Sequence, residues 1–559
     1  MNDWRWRLVR GATGAAVVAG FLALAGPEAG HRAQAQPTQP QVAWVDGRTD
    51  VWVQNLDPNQ PATVRVDYYP MAGVPPLTAP EEMLQPVMLL FPGQSSVFRY
   101  RSPRPPTDPG TPGPPFGELG QYAVIVNSTR RVASLNYTVE PFTGAAVTYT
   151  HVDVAPEIIV PLMTRAFSRP ADMTSIISIQ STETNPLTTV DATVYSKTYF
   201  QEPVTGQYDP ARVNPSVART LSAVNTGGSW MTDLSTWDEF APFEAAPPNR
   251  VLVGTVGWMR IRTPNAATRV GAEAFSNLRS INTAVSGYAG VPVTHKTTRY
   301  YLPLFRGLFD GITGLSIVNP DATRPARVRL TYFGSDLPGH GCPSQAPTTH
   351  IAADGSDTIP IGPNENIVLY QLPGNAVAPA NVGRFPLAAN CFGSAVLEVT
   401  EGDGVVAMMH DVRVERGPGG VNVVRTASGY MPVRQEDAAR RVAVPVVRHD
   451  STRVPGERVP RVATGIQVMN VDPANRPANV QITFVDMGGN RIPAASSART
   501  IGWRRAHTWW TGAVPGISDR APGLFEGSAV IESDVPVAVV VSIATVQADS
   551  VTYNGFAAE

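Results

Sequence analysis

One strand-turn-strand pattern occurs four times along the chain, and it limits the possible folds more than any other feature. In its three closest copies an alternating apolar run ends in Asn-x-Asp, a Pro-Ala pair follows, and a second alternating run ends in an aromatic residue. Alternation with a period of two is typical of β-strands that bury one face. The close copies span 51–68, 315–332 and 466–484, and a looser copy spans 176–195.

The spacing of the copies predicts four domains in tandem. A repeat of roughly 125–150 residues is too long for a solenoid unit and matches the length of a whole domain. Further segments with a strand pattern recur in the same order within each repeat. They are separated by Gly, Pro, Asp and Asn. Helical periodicity is nearly absent, apart from a short turn expected within 432–441. Short alternating runs at this spacing are typical of antiparallel β-sandwiches.

The joints between repeats share one feature. An aromatic residue near the end of each repeat precedes a short apolar strand with a central proline. Because proline cannot donate a ladder hydrogen bond, each of these strands should be an edge strand or the start of one. Joints this short and apolar predict domains held at fixed angles. The aromatic residues are Tyr149, Tyr288, Tyr430 and Tyr553, and the proline-containing strands are 160–162, 302–304 and 444–446.

The N-terminus has the pattern of a secretory signal peptide. A basic start precedes an apolar run at 12–25, and Ala33-Gln34-Ala35 supplies a small-residue cleavage site. The run is too short for a membrane-spanning helix, although an uncleaved N-terminal anchor is the alternative. The longest later apolar stretch, 535–546, suits a buried strand better. We therefore expect a mature chain without a transmembrane segment, either secreted or held at the cell surface.

These observations predict an all-β chain with a signal peptide and four antiparallel sandwiches. The expected signal peptide is 1–35, and the expected sandwich domains are 36–156, 157–298, 299–438 and 439–559. The insertions between core strands are long, among them the proline-rich stretch 101–119. On rigid β scaffolds such connections commonly carry recognition.

Charge and composition exclude one class of partner. The formal net charge of the 559-residue chain is −2, and it contains no basic block, which argues against nucleic-acid binding. Lys197 and Lys296 are the only lysines, so nearly all positive charge is arginine. That bias is typical of a GC-rich genome. The alternative is that arginine forks bind acidic polymers or neighbouring domains.

The two cysteines, Cys342 and Cys391, both fall in the third repeat. In an exported protein such a pair is a candidate disulfide, which would stabilise the fold by about 3–4 kcal/mol. Two separate buried thiols are the alternative.

The sequence contains no strong metal or catalytic motif. The Asn-x-Asp turns could supply calcium ligands, but an Asx turn explains them with fewer assumptions. The eight histidines are scattered without metal-ligand spacing. There is no Gly-x-Ser-x-Gly elbow or phosphate-cradling loop. We therefore expect a protein that is not an enzyme and needs no cofactor or metal.

Tryptophans are the best candidates for ligand contact. Trp509 and Trp510 are adjacent, so in a strand they point to opposite faces and one should lie outside the core. Surface tryptophans stack on sugar rings and anchor interfaces, whereas buried ones would cover the sandwich ends or the domain joints. The candidate ligand-facing residues are Trp230, Trp237, Trp503, Trp509 and Trp510.

The repeats resemble the immunoglobulin-like and fibronectin-like β-sandwiches that are strung together in bacterial secreted and cell-surface proteins. The resemblance covers nearly all of the mature chain, but it is one of architecture and carries no functional motif. The inter-sheet Cys…Trp…Cys arrangement of immunoglobulin domains is missing from every repeat.

The resemblance implies a non-catalytic extracellular protein of the bacterial cell envelope. We expect a stiff rod of four sandwiches with a structural, adhesive or spacer role, whose partner is an envelope polymer or another surface protein. The alternative is a carbohydrate-binding protein that uses loop tryptophans on a cell-wall polymer or exopolysaccharide. An enzyme would require a site that the sequence does not reveal.

Overall fold

The chain folds almost entirely as antiparallel β-structure. In the described part of the chain the one α-helix is α1 (Ala241–Glu244), and no helix there is long and apolar enough to cross a membrane. Single 3₁₀ turns occur at Leu234–Thr236, Asp238–Phe240, Val293–His295, Gln435–Asp437, Pro493–Ala495 and Thr511–Ala513. The computed structural model describes residues 48–70, 87–99, 122–139, 146–150, 154–166, 173–181, 187–204, 209–224, 229–278, 285–306, 311–334, 347–352, 354–370, 392–416, 422–450, 462–519, 524–545 and 550–558.

The strands form four successive groups, called units 1 to 4 below. In unit 1 they are β1 (Arg48–Asn55), β2 (Ala62–Pro70), β3 (Met88–Leu90), β4 (Ser95–Arg99), β5 (Tyr122–Ser128), β6 (Val132–Val139) and β7 (Ala146–Thr150). One sheet has the order β4-β1-β6-β7 and the other β3-β2-β5.

Unit 2 repeats this plan with longer strands. They are β8 (Glu157–Arg165), β9 (Met173–Ser181), β10 (Leu187–Gln201), β11 (Arg212–Val213), β12 (Val217–Val224), β13 (Ser229–Asp233), β14 (Val251–Arg262), β15 (Val270–Leu278), β16 (Val285–Ala289) and β17 (Val291–Pro292). The sheets are β11-β10-β14-β8-β17, with β12 also on β10, and β13-β9-β15-β16.

Unit 3 has the same two sheets. Its strands are β18 (Arg299–Arg306), β19 (Gly311–Asn319), β20 (Ala326–Gly334), β21 (Thr348–Thr349), β22 (Ile359–Ile361), β23 (Glu365–Tyr370), β24 (Phe392–Glu401), β25 (Val406–Arg416), β26 (Asn422–Tyr430) and β27 (Val433–Arg434). The orders are β21-β20-β24-β18-β27, with β22 also on β20, and β23-β19-β25-β26.

In unit 4 one long strand passes through both layers. The strands are β28 (Ala439–Asp450), β29 (Val462–Asn470), β30 (Ala478–Asp486), β31 (Ser497–Ile501), β32 (Ala506–Trp510), β33 (Leu524–Thr545), β34 (Ser550–Asn554) and β35 (Phe556–Ala557). The first half of β33 pairs with β28 and β30, and its second half pairs with β29 and β34.

Each unit buries its own apolar core, as the alternating pattern predicted. In unit 3 the opening strand, β18, pairs with β24, and β25 pairs with β19. In immunoglobulin constant domains the first strand instead pairs in the sheet of the second, and the last strand pairs in the sheet of the strand before it. Units 2 to 4 therefore have the two-sheet sandwich architecture, but the first and last of these strands exchange places between the sheets.

A β-bulge accommodates the proline in the opening strands of units 2 to 4. The pairing of β18 with β24 shifts between Leu302 and Phe305, so Pro303 and Leu304 lie outside the regular ladder. β27 pairs only with the first residues of β18, so the strand is an edge at its proline, as predicted. The buried hydroxyl of Tyr430 donates to the carbonyl of Leu304 at 2.8 Å. The joint tyrosine therefore satisfies a carbonyl that the bulge leaves without a ladder partner.

We expect Tyr430→Phe to lower the free energy of unfolding of unit 3 by about 1–3 kcal/mol, because the carbonyl of Leu304 would stay buried without a donor. Urea unfolding followed by circular dichroism measures the loss. Tyr553 bonds to Val446 in the same way in unit 4, so Tyr553→Phe is an internal replicate. Unchanged stability in both variants would show that the bulge carbonyls are satisfied by water.

The four units form a closed ring, so the expected linear rod is wrong. The strands that carry the joint tyrosines, β7, β16, β26 and β34, meet at the centre. Each packs beside the corresponding strands of both neighbouring units, including β34 beside β7, and β26 also contacts β7 across the centre. Units 1 and 4 thus contact each other although they are at opposite ends of the sequence. The fixed angles expected from short joints are explained by these contacts.

Candidate functional site

Two of the candidate tryptophans are buried, which corrects the expectation that they face a ligand. Trp237 is 0% exposed, and its indole nitrogen donates to Thr232 Oγ1 at 2.8 Å. Trp509 is 5% exposed and donates to Ser497 Oγ at 2.7 Å. Each ring completes the core of its own unit. Both therefore act as core residues, the alternative weighed from the sequence.

Two other candidates present part of their rings to solvent. Trp503 is 36% exposed and Trp510 is 37% exposed. The burial of Trp509 beside the exposed Trp510 confirms the predicted alternation of faces. The indole nitrogen of Trp503 donates to the carbonyl of Asp472 at 3.1 Å, and the Arg504 guanidinium lies 4.4 Å from the centre of its ring. Trp503 is thus held rigidly on its turn.

Trp503 and Trp510 do not form one binding platform. Trp503 precedes β32, and Trp510 is the last residue of that strand. The five residues of β32 span ~14 Å or more, so the two tryptophans lie at least that far apart along the chain direction. The Trp510 ring lies against Gly465 on the neighbouring strand, 3.5 Å from where a Cβ would be. Each ring is therefore a separate contact point. The side chain of Trp230, in β13, and both Cys342 and Cys391 lie outside the described residues.

The Asn-x-Asp turns are Asx turns, and their amide oxygens are already bonded. In unit 4, Asn470 Oδ1 accepts from the backbone nitrogen of Asp472 at 3.0 Å, and Nδ2 donates to the carbonyls of Arg476 and Ile501. The Arg476 guanidinium beside Asp472 lowers the pKa of that carboxyl to about 2. Asn55 and Asn319 make equivalent bonds. These groups pin the turns and do not point at a common ion.

Elsewhere in the described ranges, ionisable side chains meet as ion pairs, such as that of Arg324 with Asp403. No group of three or more His, Cys, Asp or Glu residues there is placed to hold a metal ion. His410 is buried where units 2 and 3 meet, its ring edge-on to Tyr288 with centroids 6.1 Å apart. Burial lowers the pKa of His410 to about 4, so the imidazole is neutral at neutral pH.

A small apolar cavity lies in the core of unit 3. Its volume is about 10 Å³, and its lining includes Leu302, Phe305 and Leu369. A single water needs a cavity of about 10–15 Å³ and several polar partners. The cavity is therefore too small for an organic ligand.

The most extensive shared feature of the described chain is the repeated contact between units. In each of three interfaces, a side chain on β14, β24 or β33 donates to a carbonyl in a tight turn of the next unit. Ser394 Oγ donates to Arg504 at 2.8 Å, Ser528 Oγ donates to Gly93 at 3.0 Å, and Trp258 Nε1 donates to Asn364 at 3.1 Å. The accepting residues have φ angles of 58°, 74° and 52°, respectively. The same turn geometry thus serves three interfaces.

Arginine and lysine reinforce these contacts at their margins. Arg505 Nη1 donates to the carbonyl of Gly334 at 3.0 Å, between units 4 and 3. Arg441 Nη1 donates to the carbonyl of Leu56 at 3.2 Å, between units 4 and 1. Lys197 of unit 2 pairs with Glu365 of unit 3. The alternative reading of the arginine-rich composition, in which cations bind neighbouring domains, thus has direct examples.

An apolar side chain from each of three units inserts into the core of the preceding unit in the ring. Leu135 joins the core of unit 4, Met408 that of unit 2 and Val540 that of unit 3. All three occupy the same position in the strand pairing. In each unit, the residue that follows the inserted side chain pairs with the joint tyrosine of that unit. We call them plug residues. The sequence signal that could have identified them is the loss of alternation at 405–409 and 535–541, where both faces are apolar.

Comparison of the chain with family models, with curated proteins and with solved structures finds no match.

Proposed function

We propose that the chain is a non-catalytic extracellular protein of the bacterial cell envelope, built from immunoglobulin-like sandwiches and exported by its signal peptide. Its role is structural or adhesive, and its partner is an envelope polymer or another surface protein. The observation that supports this proposal is ring closure by one interface type used three times. Such contacts make a rigid platform from four small sandwiches.

The position of the long connections supports an adhesive role. The tight Asx turns and the turns at Gly93, Asn364 and Arg504 are the parts of a unit that dock on its neighbour. The connections that differ most between units begin and end at the opposite ends of the strands: 71–86 and 100–121 in unit 1, and 335–346 and 371–391 in unit 3. The strand ends that these connections join therefore lie away from the docking turns, and connections on rigid β scaffolds commonly carry recognition.

Carbohydrate binding is the second candidate, and the rigidly held rings of Trp503 and Trp510 favour it. An exposed aromatic ring that is already fixed loses little entropy when it stacks on a sugar. Single separated rings would give weak binding, strengthened when a polymer carries many equivalent sugars.

We expect the chain without its first 35 residues to be retained on purified cell-wall or exopolysaccharide preparations in a pull-down assay. Retention that survives in a Trp503→Ala, Trp510→Ala double variant supports recognition by other parts of the platform. A loss of about tenfold or more in the double variant supports carbohydrate stacking instead. Turnover of any supplied polymer by the pure protein would overturn the non-catalytic assignment.

A further inference from the structure

The contact between units 1 and 2 differs from the other three at its plug position. The residue one before the partner of the joint tyrosine is Leu135, Met408 or Val540 in units 1, 3 and 4. In unit 2 the joint tyrosine Tyr288 pairs with Ala274, so the equivalent residue is Glu273. A carboxyl group thus occupies the place at which three other units insert an aliphatic side chain or a methionine.

The strand register of Glu273 is that of a plug residue. β15 carries Ala272 and Ala274 into the core of unit 2, so Glu273 points to the opposite face of the sheet. Its in-register neighbours are Ser178 on β9 and Ala289 on β16, and β16 packs along β7 of unit 1. The residue is half-buried, and the loss of water around its carboxyl group raises the pKa of that group to about 8.

No opposite charge accounts for this burial, since loss of water is the single cause of the shift. β9 has no ionisable side chain, and β16 and β7 have only Tyr288 and Tyr149. β8, which also packs on β15, has Glu157 and Arg165 at its ends, and these pair with Arg260 and Glu244. In the described part of the chain, Glu273 is therefore a carboxyl placed in an interface without a partner charge.

We propose that the contact between units 1 and 2 is a proton-dependent seam, which holds the ring closed while Glu273 is protonated and loosens when Glu273 ionises. A neutral carboxyl can be accommodated where the other interfaces place an apolar side chain. A carboxylate there loses its hydration without gaining a partner. The other three interfaces carry no ionisable group at this position, so the ring should open at one defined place.

The sign of the pH dependence follows from the raised pKa. In the open ring Glu273 ionises near its usual value of 4.5, whereas in the closed ring it ionises at about 8. The stabilisation of the closed form is fully present below pH 4.5 and is lost as the pH rises through about 8. Between pH 7 and pH 9 the opening equilibrium should shift about tenfold toward the open form.

Hydrogen exchange with mass spectrometry on the full mature chain tests the seam. After correction for intrinsic exchange rates, segments covering β7 and β16 should exchange about tenfold faster at pH 9 than at pH 7. The ratio of the exchange rates in segments covering β26 and β34 should be the same at pH 7 and pH 9. His410 does not confound the comparison, because its pKa of about 4 keeps it neutral throughout this range.

Two variants separate the charge from the packing. Glu273→Gln and Glu273→Met should both remove the pH dependence at β16, and Glu273→Met should also raise the thermal midpoint at pH 8.5. Glu526→Gln is the matched control, since Glu526 is a partly buried carboxylate that pairs with Arg448 in unit 4. This control should leave the pH dependence at β16 unchanged. Wild-type exchange at β16 that does not vary with pH, or a dependence that persists in Glu273→Gln, would overturn the proposal.

Discussion

Replacing Trp52 with alanine should lower the free energy of unfolding by about 3–5 kcal/mol and open the ring between units 1 and 4. Trp52 lies on β1 of unit 1 and is 1% exposed, but its ring belongs to the hydrophobic core of unit 4. The truncation therefore leaves a cavity inside a neighbouring unit. Because no chain joint links units 1 and 4 directly, connectivity cannot compensate for the loss of this contact.

Urea unfolding followed by circular dichroism and the radius of gyration from small-angle scattering check this prediction. The radius should increase in Trp52→Ala, since unit 1 would no longer be docked on unit 4. Trp510→Ala is the matched control, because Trp510 is 37% exposed and inserts into no core. Trp510→Ala should lose less than half as much free energy of unfolding as Trp52→Ala, and its radius of gyration should stay unchanged. An unaltered radius in Trp52→Ala would mean that the remaining contacts close the ring by themselves.

Replacing Asn470 with alanine should destabilise unit 4 by about 3–5 kcal/mol. Asn470 is 0% exposed, and its amide makes three hydrogen bonds to backbone groups, with lengths of 2.7, 2.9 and 3.0 Å. Each bond contributes about 1 kcal/mol, and the buried groups left without partners add a desolvation cost. One of these partners, Ile501, is the last residue of β31, so the effect should extend beyond the turn itself.

Asn479→Ala provides the comparison for a surface asparagine. The Asn479 amide donates to Asp534 at 2.7 Å in an exposed position, where water can replace the lost bond. We expect a loss of about 1 kcal/mol or less for this variant. The equilibrium urea midpoint and slope of both proteins give the measurement. A loss in Asn470→Ala as small as that in Asn479→Ala would show that water enters the turn and satisfies the backbone groups.

The sequence predicted the local architecture in considerable detail. Alternation in the copies at 51–68, 315–332 and 466–484 predicted strands, and β1 with β2, β19 with β20, and β29 with β30 occupy these positions. The Asn-x-Asp spacing predicted Asx turns, and the hydrogen bonds of Asn55, Asn319 and Asn470 confirm them. The short turn expected within 432–441 is the 3₁₀ turn at Gln435–Asp437. These features depend on residues close together in the chain, whose physical preferences act over a few positions.

The exposure of individual tryptophans was harder to predict. Trp509 and Trp510 could be assigned to opposite faces because they are adjacent and side chains alternate along a strand. Nothing local distinguished Trp237 from Trp503, although one is buried and the other is 36% exposed. Their burial depends on where 3₁₀ turns and loops fold back over the sandwich, and that depends on distant strands.

Local patterns in the sequence were sufficient to predict the strands, the turns, the two-sheet units and the edge position of the proline-containing strands at the joints. The bulges at those prolines, the closing of the units into a ring and the plug position of Glu273 follow from pairings and contacts that form in the folded protein. The difference arises from the separation in sequence over which the two kinds of interaction act. A period of two shows that a strand buries one face, but what covers the other face depends on surfaces far apart in sequence, such as Ser528 and Gly93, which are 435 residues apart. Shape and hydrogen-bond complementarity between such surfaces arise only after each unit has folded.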